Sequence, residues 1–431
     1  MKKNCLLVFL LMLPTFAFSE NKIKVIKAGK VIDVVSEIVL TNQIILVDNG
    51  KIIDIGPKIS IPKNAEIIDL SNATVLPGLM DTHTHLTFQI GDNYYEQTFR
   101  ETPIDNAIVA PGYAKKTLEA GFTMVRNLGS GDLIDVSLRN AINKGLAEGP
   151  RMLVSTFPIG ATGGHADFSG FNPNITWKGN EDFTGIADGV DEIRKRVRNN
   201  VKWGTDWIKM MATAGVLSEE ESVGAAQYSF EEMKALCDEA HRWGKKVAAH
   251  AHGAEGIKMA IRAGADTIEH GSLLDDESIN LMKEKKTYLI PTIYVLDQII
   301  QNFSKKDFPE KILNKARSLK EKREESFKKA VHAGIQIVYG TDAGIFPHGE
   351  NAKDFAYMVK AGMTPMQAIQ SATIHAADML EWRDKTGSIT AGKWADIIAV
   401  EKNPMDDISA LEHVKFVMKE GVVYKNEINK K

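Results

Sequence analysis

His83 and His85 stand two residues apart at the end of the apolar run Val75-Leu76-Pro77-Gly78-Leu79-Met80. On an extended strand, positions i and i+2 point to the same face, so both imidazoles can reach one divalent ion. One His-x-His among 11 histidines is weak evidence by itself, and two surface histidines in a turn would read the same way. A second pair, His250 and His252, closes the run Lys246-Val247-Ala248-Ala249. His250 is read as a ligand, and His252, beyond the strand, as a loop residue that packs or bonds locally. His270, in Ile268-Glu269-His270-Gly271, could alone be a core histidine, and Asp342, in Gly340-Thr341-Asp342-Ala343-Gly344, could alone be a helix N-cap. All of these groups fall where short apolar runs end, and that shared placement reads as a metal site.

Lys209 is the sharpest single signal. It sits inside Trp207-Ile208-Lys209-Met210-Met211, where an unpaired ammonium would be costly to bury. Desolvation lowers the pKa of an amine, and a neutral amine can add CO2 to become a carbamate, an anionic oxygen donor able to bridge two metal ions. The alternative is an ordinary buried ion pair with a carboxylate such as Asp342.

These groups need a frame that brings strand ends together. Short β-type runs at 74–82, 123–128, 152–157, 207–211, 246–250, 267–270, 288–292 and 335–341 alternate with amphipathic stretches such as 110–120, 188–202, 229–243, 254–263, 276–284 and 312–333. Eight strands each followed by a helix, over about 300 residues, fit an α/β chain folded as a (β/α)8 TIM barrel, where reacting groups come from the C-terminal ends of strands. An open doubly wound sheet is the competing architecture. Ala-Gly at 120–121, 263–264 and 333–334 suits helix C-caps. Before Leu76 and after Leu380 the rhythm is strand and turn, with Asn49-Gly50 as a hairpin signal. The predicted division is a small β-sandwich domain from residues 20–76 and 380–431, with the barrel at 77–379.

The first 19 residues are read apart from the fold. A basic start at Lys2 and Lys3, the apolar run Leu6 to Leu13, and Ala17-Phe18-Ser19 together fit a cleaved signal peptide, and hence an exported protein, periplasmic or secreted. A membrane anchor is the alternative, but the run is short for a hydrocarbon core of about 30 Å. No membrane association is expected after cleavage. Losing Lys2 and Lys3 takes the formal charge from −3 to −5 and leaves Cys237 as the only thiol, so no intrachain disulfide can form. With 53 basic and 56 acidic residues well mixed, nothing favours nucleic acid as a partner. An apolar fraction of 44% is ample for a large core and argues against disorder.

The run Leu76-Pro77-Gly78-Leu79-Met80-Asp81-Thr82-His83-Thr84-His85 resembles the signature of the amidohydrolase superfamily. The likeness spans the mature chain. It is strongest to the imidazolonepropionase-related group with prolidase-like dipeptidases and carboxypeptidases, through Thr162-Gly163-Gly164-His165-Ala166-Asp167, His250-Ala251-His252-Gly253, Ile268-Glu269-His270-Gly271 and the closing Gly387 to Ile397. What the resemblance implies is a centre of two divalent ions, in the first place Zn2+. His83, His85 and Asp342 would hold one ion and His250 and His270 the other, bridged by carboxylated Lys209 and a hydroxide. Asp342 would then relay the proton from attacking water to leaving nitrogen. His165 and Tyr228 are candidates for stabilising the oxyanion or binding a substrate carboxylate, although either could simply order its loop or pack. Arg126 could receive a substrate carboxylate or form a structural ion pair, and His348 could line the pocket.

The function expected is hydrolysis of a peptide-like C–N bond in a small peptide or N-acyl amino acid. A cyclic-amide hydrolase is the alternative within enzymes; deaminases of the superfamily lack the strand-4 lysine. A catalytically inactive binding relative should have lost ligands, and none of the six is missing. Segments 92–102 and 294–312 are expected to form much of the specificity wall, and a homo-oligomer is a general prior.

Overall fold

Apolar residues at short spacing turn the first part of the chain into strands β1 (Lys24–Asp33), β2 (Ile38–Asp48), β3 (Lys51–Gly56) and β4 (Glu66–Pro77). The computed structural model describes residues 23–91, 94–167, 184–303 and 309–428, so the expected signal at 1–19 lies outside the described residues. Asn49 and Gly50, with φ of 47° and 77°, make the tight β2–β3 turn their sequence predicts.

Seven parallel strands follow, separated by helices: β5 (Leu79–Thr84), β6 (Phe122–Asn127), β7 (Arg151–Val154), β8 (Trp207–Met211), β9 (Lys246–Ala251), β10 (Thr267–His270) and β11 (Tyr288–Ile290). They form two ladders, β5-β6-β7 and β8-β9-β10-β11. The seams between the ladders close the barrel. On one side the β7 segment bends after Val154, with Thr156 at φ 54°, and resumes at Ile159, whose amide donates to the Lys209 carbonyl at 2.8 Å. The strand expected through Phe157 therefore stops early.

On the other side, residues 335–341 occupy the eighth position through isolated bridges rather than a full ladder. Leu289 bridges Ile337, the Thr82 amide donates to the Tyr339 carbonyl, and the amides of Thr341 and Asp342 both turn to the His83 carbonyl. Just past this segment Asp342 adopts φ 67°, and its carboxylate faces His83 and His85 at the mouth. Of the Ala-Gly junctions, Gly264 and Gly334 are left-handed C-caps, as expected.

Strands β12 (Ile397–Val400), β13 (Phe416–Lys419) and β14 (Val422–Asn426) join β1–β4 in one sheet of order β14-β13-β12-β4-β1-β2-β3. Both ends of the chain thus build one sheet. It curls over itself: the Ala395 amide donates to the Gly50 carbonyl, and Gly50 packs against Glu420 at the far side of the strand order. Ile26, Ile45, Ile52, Leu70, Ile397 and Phe416 share the apolar cluster enclosed between. No helix among the described residues is long and apolar enough to cross a membrane.

Arg151, on the first residue of β7, ties this sheet to the barrel. Its guanidinium pairs with Asp396 at 2.9 Å and Glu420 at 2.6 Å and lies 3.9 Å from the centre of the Trp394 ring. Asp396 is nearly fully buried, so the pair is shielded from solvent. Asp396→Ala is expected to destabilise the protein by roughly 3 kcal/mol, because Arg151 stays buried with only the half-exposed Glu420. Calorimetry should record a lower unfolding temperature with unchanged metal content.

Candidate metal centre

Each clustered group is placed by a strand end. His83 projects from β5 and is 1% exposed; its Nδ1 lies 2.7 Å from Glu269 Oε2 and its Nε2 3.5 Å from Asp342 Oδ1. His85 Nε2 lies 3.1 Å from the same Asp342 oxygen, and its Nδ1 3.5 Å from the Gly129 carbonyl. A carboxylate and a carbonyl can only accept, so Nδ1 carries the proton in both rings. Both Nε2 lone pairs then face the Asp342 carboxylate. Three acceptors pointed at one another call for a cation between them, and all three donor atoms lie within 4.8 Å.

His250, His252 and His270 form a second such group, with ring nitrogens within 4.8 Å. His250 Nε2 is buried without a hydrogen-bond partner, an open donor atom aimed into the group. His252 Nδ1 is fixed by Ser272 Oγ at 2.8 Å and His270 Nδ1 by Thr292 Oγ1 at 2.8 Å. Strand alternation would send Glu269 and His270 to opposite faces; a φ of 70° at His270 turns its ring back to the mouth. The two groups adjoin, since the His83 and His270 ring centres are 5.0 Å apart. Burial holds His83 down to about 4 and keeps His250, His252 and His270 well below the ordinary histidine range. All are neutral near pH 7, as metal ligands must be.

Lys209 is buried beside both groups and acts electrostatically on members of each. Among the described residues no carboxylate lies within ion-pair distance of it, so the ion-pair alternative with Asp342 does not hold. Burial brings its ammonium down to about 8. For Asp342, burial works to raise the carboxyl, but His83, His85 and Lys209 outweigh it and hold the group well below the usual range.

The residues enclose a cavity of about 170 Å3 with an apolar wall that includes Phe88, Val216, Leu217, Val295, Leu296 and Ile299. The last three come from the expected wall segment 294–312, whereas no described residue of 94–102 lines the cavity. His165 does line it, stacked on His250 at 4.2 Å between ring centres, with Nδ1 held by Ser218 Oγ at 2.7 Å. Gly215 makes this possible: a Cβ there would fall 2.4 Å from the His165 ring. A larger cleft of about 450 Å3 opens at the opposite end of the strands, beside Trp207 and Tyr288, away from the clustered histidines.

Three expected residues lie elsewhere. The Tyr228 hydroxyl donates to the Ala187 carbonyl at 2.9 Å, inside the core, because Tyr228 packs ahead of the helix capped by Ser229. Arg126 is fully buried beneath the site, donating to Thr82 O at 2.6 Å and Glu269 Oε1 at 2.8 Å, so it is a structural cation rather than a substrate contact. His348 Nε2 bonds the Phe88 carbonyl at 2.9 Å and its ring packs on Tyr113, outside the cavity. Conversely, two residues of the cluster are not among the expected ones: Glu269, an acid inside an apolar strand, and His252, expected to pack or bond within its loop.

Residues 74–425 match the amidohydrolase family. The chain belongs to that family. It is an enzyme that hydrolyses amide bonds. Ochratoxinase of Aspergillus niger is 32% identical over 418 residues, 92% of this chain and 85% of the relative. A solved Xaa-Pro dipeptidase with methionine bound in its active site superposes with a TM-score of 0.89 at 42% identity, covering 94% of this chain and all of the other. A prolidase solved with N-methylphosphonate-L-proline gives 0.86 at 29% identity, covering 94% of this chain and all of the other. The family placement agrees with the resemblance carried by the residues around His83 and His85, and with a barrel flanked by a sheet from both chain ends.

Proposed function

We propose that this amidohydrolase is an exported, zinc-dependent enzyme that cleaves a peptide-like C–N bond in a dipeptide or N-acyl amino acid. The observation that carries the reading is the pair of adjoining three-donor groups with an unpaired, buried lysine beside both. Imidazole and carboxylate donors suit Zn2+. His83, His85 and Asp342 would hold one ion, His250 and His270 the other with His252 within reach, and Lys209 would bridge them as a carbamate. Bound ions of this kind polarise a carbonyl and bring the pKa of water near 7.

The chain's own groups do the rest. Asp342 takes a proton from the attacking water and returns it to the leaving nitrogen. His165, with Ser218 Oγ donating to its Nδ1, would carry its proton on Nε2 and present that N–H to the oxygen on which charge develops. Glu269 keeps His83 in the tautomer that leaves Nε2 free. The small apolar cavity favours one compact side chain beside the cleaved bond. The Xaa-Pro dipeptidase and ochratoxinase likenesses support a small amide substrate.

Elemental analysis of purified protein should find close to two divalent ions per chain. Chelation should abolish hydrolysis across a panel of Xaa-Pro dipeptides, other dipeptides and N-acyl amino acids, and Zn2+ should restore it. A metal-free protein with full activity would overturn the reading. Protein recovered from outside the cytoplasm should have a mass lacking residues 1–19.

A further inference from the structure

Arg323 lies on the long helix Glu310–Ala333, lines the same cavity as the clustered histidines and is 3% exposed. Its Nη2 donates to the carbonyls of Pro291 and Thr292 and, at 3.0 Å, to Thr292 Oγ1. Its other two nitrogens, Nε and Nη1, are buried with no hydrogen-bond partner. Among the described residues no carboxylate pairs with it. Of the acids that act on it from a distance, Asp342 faces His83 and His85 and Asp297 pairs with Lys320, while Asp354 accepts from the amides of Ile293 and Tyr294 through Oδ1 and keeps Oδ2 buried without a partner, beyond ion-pair distance of the guanidinium.

A buried guanidinium with vacant N–H groups is costly to keep unless something anionic completes it, and its planar fork matches a carboxylate. We propose that Arg323 receives the free α-carboxylate of the substrate's C-terminal residue, while Val216, Leu217, Val295, Leu296 and Ile299 take that residue's apolar side chain. The inference rests on the hydrolytic reading above and narrows it to substrates ending in a free, apolar amino acid. Arg323 also touches the centre indirectly, since Thr292 Oγ1 bonds both Arg323 and His270. That link uses Nη2 alone, and a purely positioning role leaves Nε and Nη1 unexplained.

Two measurements on the zinc-loaded full-length protein test this. Calorimetric binding of L-leucine should exceed that of L-leucinol, which lacks the carboxylate, by at least about tenfold, and Arg323→Met should erase the difference. In turnover, Arg323→Met should lower kcat/KM for glycyl-L-leucine by about 100-fold, chiefly through KM, and lower that for glycyl-L-leucinamide far less, with metal content retained. Should Arg323→Met fail to fold, Arg323→Lys, which keeps the charge without the fork, is expected to show a smaller loss confined to the carboxylate substrate. Equal losses on both dipeptides through kcat would make Arg323 a positioning residue for His270. No preference for leucine over leucinol in the wild-type protein, or a preference that survives in Arg323→Met, would leave the vacant nitrogens to a bound water. If neither dipeptide is cleaved while leucine binding still depends on Arg323, the dipeptide reading of the substrate fails and the carboxylate site stands.

Discussion

Lys209→Ala is expected to cut kcat/KM by at least about 10³-fold, the equivalent of about 4 kcal/mol of transition-state stabilisation, and to lower the metal content below two ions per chain. The side chain is 1% exposed and, among the described residues, no carboxylate lies within ion-pair distance of it, although Glu269 and Asp342 act on it from farther away. What it removes is the anionic bridge a carbamate would provide. A short carboxylic acid such as propionate, diffusing into the space vacated by the lysine, should restore part of both metal binding and turnover. With its pKa brought down to about 8 by burial, the amine is protonated and unable to add CO2 at lower pH. Reconstitution of stripped protein with Zn2+ should therefore be more complete at pH 8.5 than at pH 6.5, and more complete with bicarbonate than without. Normal turnover in Lys209→Ala would make the lysine structural.

The second large effect is expected from Glu269→Ala. Glu269 is fully buried and joins two systems: Oε2 meets His83 Nδ1 at 2.7 Å and Oε1 meets Arg126 Nη2 at 2.8 Å. Burial works to raise this carboxyl, but Arg126, His83 and Lys209 outweigh it and hold the group down to about 2. Its loss leaves Arg126 buried without an anion, a change that costs about 3–5 kcal/mol. It also frees the His83 ring from the partner that fixes its tautomer, which should weaken metal binding by about 10–100-fold. Thermal unfolding and competition with a chelator read the two effects separately. The double variant Arg126→Met with Glu269→Ala should recover much of the stability and none of the metal affinity; recovery of both would mean that Glu269 acts on the centre only through the fold.

The candidate metal donors are legible because each sits where an apolar strand ends, and a polar group there has one obvious direction to face. His83, His85, His250, His270 and Asp342 all obey that rule, and Lys209 announces itself by interrupting a strand core. Periodicity carries no information past the last strand residue, so His252 reads as a loop residue, whereas its ring bonds Ser272 and packs on His250 and His270. Arg323 is one of many charges on a helix rich in Lys, Arg and Glu, so no local pattern distinguishes the one that faces the cavity. Tyr228 and His348 show the converse. A polar residue in a barrel loop can face the mouth or the core, and the choice is made by distant packing partners, here Ala187 and Phe88. The apolar run 335–341 marks the eighth position of the barrel, where the structure has isolated bridges in place of the expected strand, and the positive φ of Asp342 just beyond it is not revealed by the sequence.

The sheet shared by the two chain ends sets the order in which the molecule can be finished. β4 pairs with β1 on one side and with β12 on the other, so during synthesis its second edge stays open until residues 397–400 emerge, after the whole barrel. An open edge of this kind is a template for pairing with other chains. Under the export proposed above, that half-built edge would not be presented in the compartment where the chain is made, and β12, β13 and β14 would complete the sheet with β1–β4 already present.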